Sequence, residues 1–212
     1  MNIGLVGLGG MGTVHFQNYR HIPGARVAAV VGVTDADGAR AREWGVPLYA
    51  TIGELAARES IDLVDICTPT FLHKPLALES LSLGKPTLVE KPATLTVEDA
   101  RALYAAADCA GAPLYVAQVM QFAKEIELLR RAVCEQWYGR PLDARFERLS
   151  ARPQWTQNNW LLDRSKSGLV PFDLHIHDLD VIVSLFGKPE HIAYTSCGGE
   201  GASYREHYRF TY

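Results

Sequence analysis

The run Gly7-Leu8-Gly9-Gly10-Met11-Gly12 directly follows an apolar stretch at residues 3–6 and leads into a segment with helical patterning. The spacing alone is unspecific, but its place after a strand and at the opening of a helix gives it weight. Gly7 permits a tight strand-to-helix turn, Gly9 lets a ligand reach the backbone, and Gly12 lets the helix pack closely on the strand. Free N–H groups at the start of such a helix face phosphate. The spacing therefore predicts a parallel, doubly wound α/β sheet that binds a dinucleotide through Gly7, Gly9, Gly10, Met11 and Gly12.

The first half of the chain keeps this rhythm. Strands are predicted at 3–6, 27–31, 48–49, 63–66, 87–89 and 114–117. They are short, mostly apolar and linked by helices, as parallel strands covered on both faces should be. Helices are predicted over 13–21, 39–44 and 52–58, and from Thr68-Pro69 to Leu83, with Gly84 placed for a left-handed cap. Thr96 is a predicted N-cap, with Asp99 as the acidic half of a capping box. Beyond about residue 119 the pattern changes. A helix is predicted over 122–137, a half-buried antiparallel strand over 143–150, and a long loop over 151–168. A helix over 172–186 stops at Gly187-Lys188-Pro189, and alternation returns over 204–212. The organisation predicted is two domains, 1–119 and 120–212.

Composition excludes several classes. Among 212 residues, 48% are hydrophobic and 21% charged, an ordinary globular balance. A net charge of −3 gives no electrostatic case for nucleic acid or an anionic membrane as partner. No apolar run approaches the ~18 residues of a membrane span. The apolar start lacks a basic n-region and reads as a first strand, not a signal peptide. Cys67, Cys109, Cys134 and Cys197 are scattered, which fits buried thiols in a reducing compartment and hence the cytoplasm.

The carboxyl ends of the predicted strands hold the chemistry. An acid about 20 residues past the last glycine should bind the adenosine ribose. That count falls on Gly32; Asp35, followed by Asp37, comes a little later and reaches the ribose if the loop is longer. Asp35 reads equally well as a turn or N-cap residue, and Arg40 and Arg42 could instead meet a 2′-phosphate, so NAD and NADP both stay open. Thr68, Pro69, Thr70 and His73 follow the fourth strand where the dinucleotide should cross. Glu90-Lys91-Pro92 closes the fifth. A lysine there is costly unless something anionic meets it, and Pro92 holds it extended. In Asp173-Leu174-His175-Ile176-His177-Asp178-Leu179-Asp180, a strand would gather Asp173, His175 and His177 into a metal site. A helix would instead put Asp173, His177 and Asp180 on one polar stripe. Leu179, Ile182 and Phe186 form one apolar stripe and favour the helix, so no metal is expected.

These pieces in this order resemble the Gfo/Idh/MocA family of NAD(P)-dependent oxidoreductases. The resemblance rests on Gly7-x-Gly9-x-x-Gly12, Cys67-Thr68-Pro69-Thr70 with His73, Gly84-Lys85-Pro86, Glu90-Lys91-Pro92 and Asp173-x-x-x-His177-x-x-Asp180. It implies a Rossmann domain followed by an α+β domain with an open, mainly antiparallel sheet that often forms an oligomer interface. It implies a nicotinamide cofactor, NAD or NADP, held by the glycine loop, Asp35, Thr68, Pro69, Thr70, His73, Glu90 and Lys91. Substrates would be sugars, inositols or related polyols, and the catalytic trio would be Lys91, Asp173 and His177. The chemistry suits those types: an imidazole takes the hydroxyl proton near neutral pH, a carboxylate orients it, and a lysine stabilises alkoxide charge.

Trp155, Asn158, Asn159 and Trp160 are candidate sugar-facing groups, because aromatic faces and amides suit polyols; an ordinary surface loop is the plainer reading. His175 stands where the family usually has glycine and would add to the substrate wall, and Gln121 stands where arginine is common. Family members are longer, so the chain is expected to be a fragment or to associate through an incomplete sheet. Two alternatives share the fold: a cofactor-binding regulator without turnover, and a glycoside hydrolase that recycles NAD.

Overall fold

A computed structural model describes residues 1–150, 157–198 and 205–212. Contacts divide the chain into two units, Met1–Ala117 and Gln118–Tyr212.

The first unit is a six-stranded parallel sheet. Its strands are β1 (Asn2–Val6), β2 (Arg26–Val31), β3 (Leu48–Tyr49), β4 (Leu63–Ile66), β5 (Thr87–Glu90) and β6 (Leu114–Ala117), in spatial order β3-β2-β1-β4-β5-β6. The chain moves outward from β1 to β3, then returns to place β4 beside β1. Such a reversal leaves a crevice at the strands' carboxyl ends, where ligands bind. The sheet buries both faces because its strands are apolar on both. Leu5 and Val30 pack with Phe16 of α1 (Gly10–Tyr19) and Ala41 of α2 (Asp35–Trp44). On the other face Val6, Val31, Ile66 and Val89 pack with residues of α3 (Ile52–Arg58), α4 (His73–Ser82) and α5 (Val97–Ala110). Phe16 and Trp44 stack at 4.0 Å between ring centroids, tying α1 to α2.

Local chemistry explains where the elements differ from the sequence prediction. α1 begins at Gly10, not residue 13, because the Gly9 carbonyl accepts the Thr13 N–H at 2.9 Å and opens the helix at once. α2 starts at Asp35, before Gly38, because Thr34 and Asp37 form a capping box, which outweighs the low helix propensity of glycine. Thr96 caps α5 as expected, but the Asp99 carboxylate pairs with Lys74 of α4 rather than completing a box. Gly84 has φ +67°, the left-handed position anticipated.

The second unit departs further. A 3-10 turn at Val119–Phe122 precedes α6 (Lys124–Cys134), which is shorter than predicted. Residues 143–150 form no strand: their alternation is imperfect, Leu149 is exposed, and no described strand pairs with them. Part of the predicted loop is helical, with a 3-10 segment at Gln157–Leu162 and α7 (Arg164–Ser167). The single helix expected over 172–186 is two, α8 (Val170–Asp173) and α9 (His175–Phe186), separated at Leu174. β7 (His191–Cys197), which the sequence reading did not anticipate, pairs antiparallel with β8 (Arg205–Thr211). No helix among the described residues is long and apolar enough to cross a membrane.

Candidate active site

The glycine loop is built around two close approaches, at Gly7 and Gly12. Gly7 has φ +88°, a conformation side chains rarely adopt. A Cβ on Gly12 would lie 1.9 Å from the Gly7 carbonyl oxygen, so only glycine lets α1 sit this close to β1. Gly9 and Gly10 differ: a Cβ on either meets nothing within 4 Å. No protein packing demands glycine there, and the space lies open to a ligand. Gly9 caps α1 without a side-chain bond, and no acid stands in the first turn, so Gly10, Met11 and Gly12 present their N–H groups. Thr68 flanks the Gly7 turn and has a buried hydroxyl without a partner, a group that a bound ligand would satisfy. These features fit a dinucleotide pyrophosphate. Gly12→Ala is expected to push α1 off β1, costing about 1–3 kcal/mol as overpacking does and abolishing dinucleotide binding. Calorimetric titration with NAD checks this, and unchanged affinity would refute the packing argument.

Beneath the loop lies a buried ion network that sequence reasoning missed. His15 on α1 places Nδ1 2.8 Å from Asp65 Oδ2 of β4 and Nε2 3.0 Å from Glu90 Oε1 of β5. The Tyr19 hydroxyl donates to Asp65 at 2.9 Å, and Cys67 Sγ lies 3.3 Å from His15 Nδ1. Asp65 is fully buried and Glu90 nearly so. With a carboxylate at each ring nitrogen, His15 is an imidazolium. Burial alone would lower its pKa, but Asp65, Cys67 and Glu90 together raise it to about 12. Burial pushes Glu90 up, yet His15 and the Lys91 N–H hold it below the usual carboxylate value. The Cys67 thiol is pushed up to about 12, chiefly by burial. His15, Asp65 and Cys67 bring ligand-type atoms within 4.8 Å of one another. A doubly protonated ring, however, has no lone pair for a metal. The signal was available: Asp65 is a charge inside an apolar strand, and His15 falls one helical turn after Gly12.

Lys91 leaves the carboxyl end of β5, its N–H donating to Glu90 Oε2 at 3.0 Å, and the Lys91–Pro92 peptide is cis. His73, the first residue of α4, is buried rather than facing the crevice. Its Nδ1 lies 2.8 Å from the Pro92 carbonyl and its Nε2 2.8 Å from that of Thr68. It thereby braces the segment after β5 against the segment after β4. Burial lowers its pKa, with the two carbonyls pulling partly back. Thr70 is buried in the 3-10 turn before α4, and Pro69 caps that turn. Asp35 is exposed at the start of α2.

In the second unit Asp173 ends α8, while His175 and His177 lie in the first turn of α9. They therefore share no continuous helical stripe. All three side chains are half-buried. Asp178 forms a two-pronged ion pair with Arg148 at 2.7 and 2.8 Å. Gln121 donates to Asp180 and accepts from Arg130, so an arginine reaches this carboxylate through the amide. An open cleft of about 2140 Å³ between residues 140–150, α9 and the β7–β8 sheet is lined by Asp173 and His175, but not by His177. Asn159 is exposed with φ 49° and Trp160 is half-buried, both in the 3-10 segment. Trp155 and the side chain of Asn158 lie outside the described residues.

The fold and the glycine loop define a dinucleotide-binding protein of the doubly wound class. Residues 1–118 match the oxidoreductase family with an NAD-binding Rossmann fold, and residues 126–199 match the GFO/IDH/MocA C-terminal domain. The chain belongs to the Gfo/Idh/MocA oxidoreductase family. It is 31% identical over 194 residues to a D-apiose dehydrogenase of Paraburkholderia graminis, an alignment covering 89% of this chain and 50% of that one. It is 30% identical over 181 residues to an inositol 2-dehydrogenase of Rubrobacter xylanophilus, covering 84% of this chain and 50% of that one. The crystal structure of GenD2 from gentamicin A biosynthesis in complex with NAD superposes with TM-score 0.78 at 25% identity, covering 93% of this chain and 56% of that one. The chain thus spans about half the length of the curated relatives it matches.

Proposed function

We propose that the protein is an NAD(P)-dependent oxidoreductase that moves a hydride between nicotinamide and a hydroxyl- or carbonyl-bearing carbon of a sugar, inositol or related polyol. The observation that carries this reading is the open space over Gly9 and Gly10 beside uncapped N–H groups, which receives a pyrophosphate. The names of the apiose and inositol dehydrogenases support the substrate class. The bound nicotinamide supplies the hydride acceptor or donor. The protein's residues do the rest. Gly10, Met11 and Gly12 bind phosphate through their N–H groups. Thr68, Pro69 and Thr70 line the crossing point, and Asp35 and Glu90 belong to the same cofactor shell. Lys91 donates to the reacting oxygen and stabilises its developing charge. His177 takes the hydroxyl proton, and Asp173 orients the imidazole or a neighbouring hydroxyl. Asn159, Trp160 and His175, with Trp155 and Asn158, form the substrate wall.

Net NADH or NADPH formation on incubation with a panel of aldoses and cyclitols tests the proposal. Cofactor binding without turnover on any of them would instead mark a regulator. Glycoside cleavage without net reduction would mark a hydrolase that recycles NAD. Self-association through the β7–β8 sheet belongs to the same proposal. Ile192 and Tyr194 on β7 are 54% and 48% exposed, an apolar pair that a partner would cover. Sedimentation velocity should give a dimer or larger species, and a monomer at all concentrations would rule this out.

A further inference from the structure

The residue that the spacing from Gly12 assigns to the adenosine ribose is Gly32, which has no group to offer. What occupies its place is the side chain of Asp37. A Cβ built on Gly32 would lie 2.6 Å from Asp37 Cβ, 2.7 Å from its Cγ and 2.9 Å from its Oδ2. The Gly32 backbone is not in the left-handed region, so the glycine is required by space alone. Asp37 Oδ2 is held by the N–H groups of Val33 and Thr34 at 3.1 and 3.0 Å and by the Thr34 hydroxyl at 2.8 Å. Its Oδ1 bonds to no described residue.

The faces of α2 separate the other candidates. Asp37, Arg40, Ala41 and Trp44 recur at helical spacing on the face turned to α1 and the glycine loop. Trp44 stacks on Phe16, Ala41 is in the core, and Arg40 donates to the Leu8 carbonyl. Asp35 and Arg42 line a shallow groove with Gly32, Val33 and Thr34 after β2 and with Leu48 and Tyr49 of the edge strand β3. Arg40 is thus tethered to the glycine loop's backbone, and its charge is engaged there.

We propose that Asp37 is the specificity-determining carboxylate for the cofactor. The ribose acid has moved five positions, from the end of β2 to the first turn of α2, and it selects NAD over NADP. Oδ1 accepts from the adenosine ribose hydroxyls, while the capping box fixes the carboxylate's orientation. A 2′-phosphate at the same place would meet a fixed negative charge. The inference rests on the cofactor reading above and adds which dinucleotide is chosen and by what residue.

Calorimetric titration of the full chain with NAD and with NADP tests it. The unaltered protein should bind NAD about 10- to 100-fold more tightly, the range expected for hydrogen bonds to a charged group. Asp37→Asn should remove most of that ratio. Thr34→Ala, which weakens the cap but keeps the carboxylate, should preserve it even if overall affinity falls. The exchange Gly32→Asp with Asp37→Gly should restore it by returning the acid to β2. A preference for NADP, or a ratio that Asp37→Asn leaves unchanged while both dinucleotides bind, would overturn the assignment of Asp37 alone. Failure of both dinucleotides to bind would overturn the cofactor reading and this inference with it.

Discussion

Replacing His15 with alanine is expected to lower the stability of the first unit by about 3–5 kcal/mol, the cost of removing one partner from a buried ion pair. Asp65 and Glu90 would then face each other's charge without the imidazolium that sits 2.8 and 3.0 Å from them. The pH dependence supplies a second readout. The folded pKa of His15 is raised from 6.5 to about 12. Its contribution is therefore complete below the unfolded value and is lost progressively as pH climbs toward the folded one. Glu90 has the opposite sign: its depressed pKa gives stability above the ordinary carboxylate range that is lost on acidification. Tyr19 and Cys67 are raised and also cost stability in alkali, but only beyond their unfolded values of 10.0 and 9.0. Between about pH 7 and 8.5 the decline belongs mainly to His15, at most about 1.4 kcal/mol per pH unit. Urea melts should show that decline in the unaltered protein and a flatter profile in His15→Ala. Identical profiles and midpoints would mean that the network contributes nothing.

Lys91→Ala and His177→Ala are each expected to lower kcat by about 10²- to 10⁴-fold, the range for losing a positioned acid–base or electrostatic group. NAD affinity should change little, because the glycine loop and not these side chains holds the pyrophosphate. Under the proposed mechanism both act on one oxygen, and the double variant should then lose far less than the product of the single losses. Single-turnover absorbance with saturating cofactor separates the cases. Undiminished turnover in either variant would remove that residue from the mechanism. A parallel collapse of NAD binding would reassign Lys91 to holding the cofactor.

The Rossmann half was legible because its signals are local. A glycine at a left-handed cap, as at Gly84, and a threonine before a helix, as at Thr96, each depend on nearby backbone only. What escaped depends on long-range company. His15 meets Asp65 and Glu90 across 50 and 75 residues of sequence, and no window along the chain contains all three. β7 was missed because His191, Thr195 and Ser196 dilute its apolar alternation; pairing with β8, not its own pattern, makes it a strand. The break at Leu174 eluded prediction for the converse reason. The stripe of Leu179, Ile182 and Phe186 is real, but it starts only in α9, and nothing in periodicity reports that Asp173 belongs to the preceding turn.

The ion network beneath the glycine loop also bears on how this domain can be altered. Exchanging a buried set of charges for well-fitting apolar groups is often neutral or stabilising, whereas removing one member is costly. His15, Asp65 and Glu90 thus form a unit that tolerates wholesale replacement better than piecemeal change. A version with Leu, Val and Met in those places would melt no lower than the original. It would, however, remove the polar tie between α1 and Glu90, the residue before Lys91, and leave apolar packing and the contact between Gly7 and Gly12 to hold α1 on the sheet.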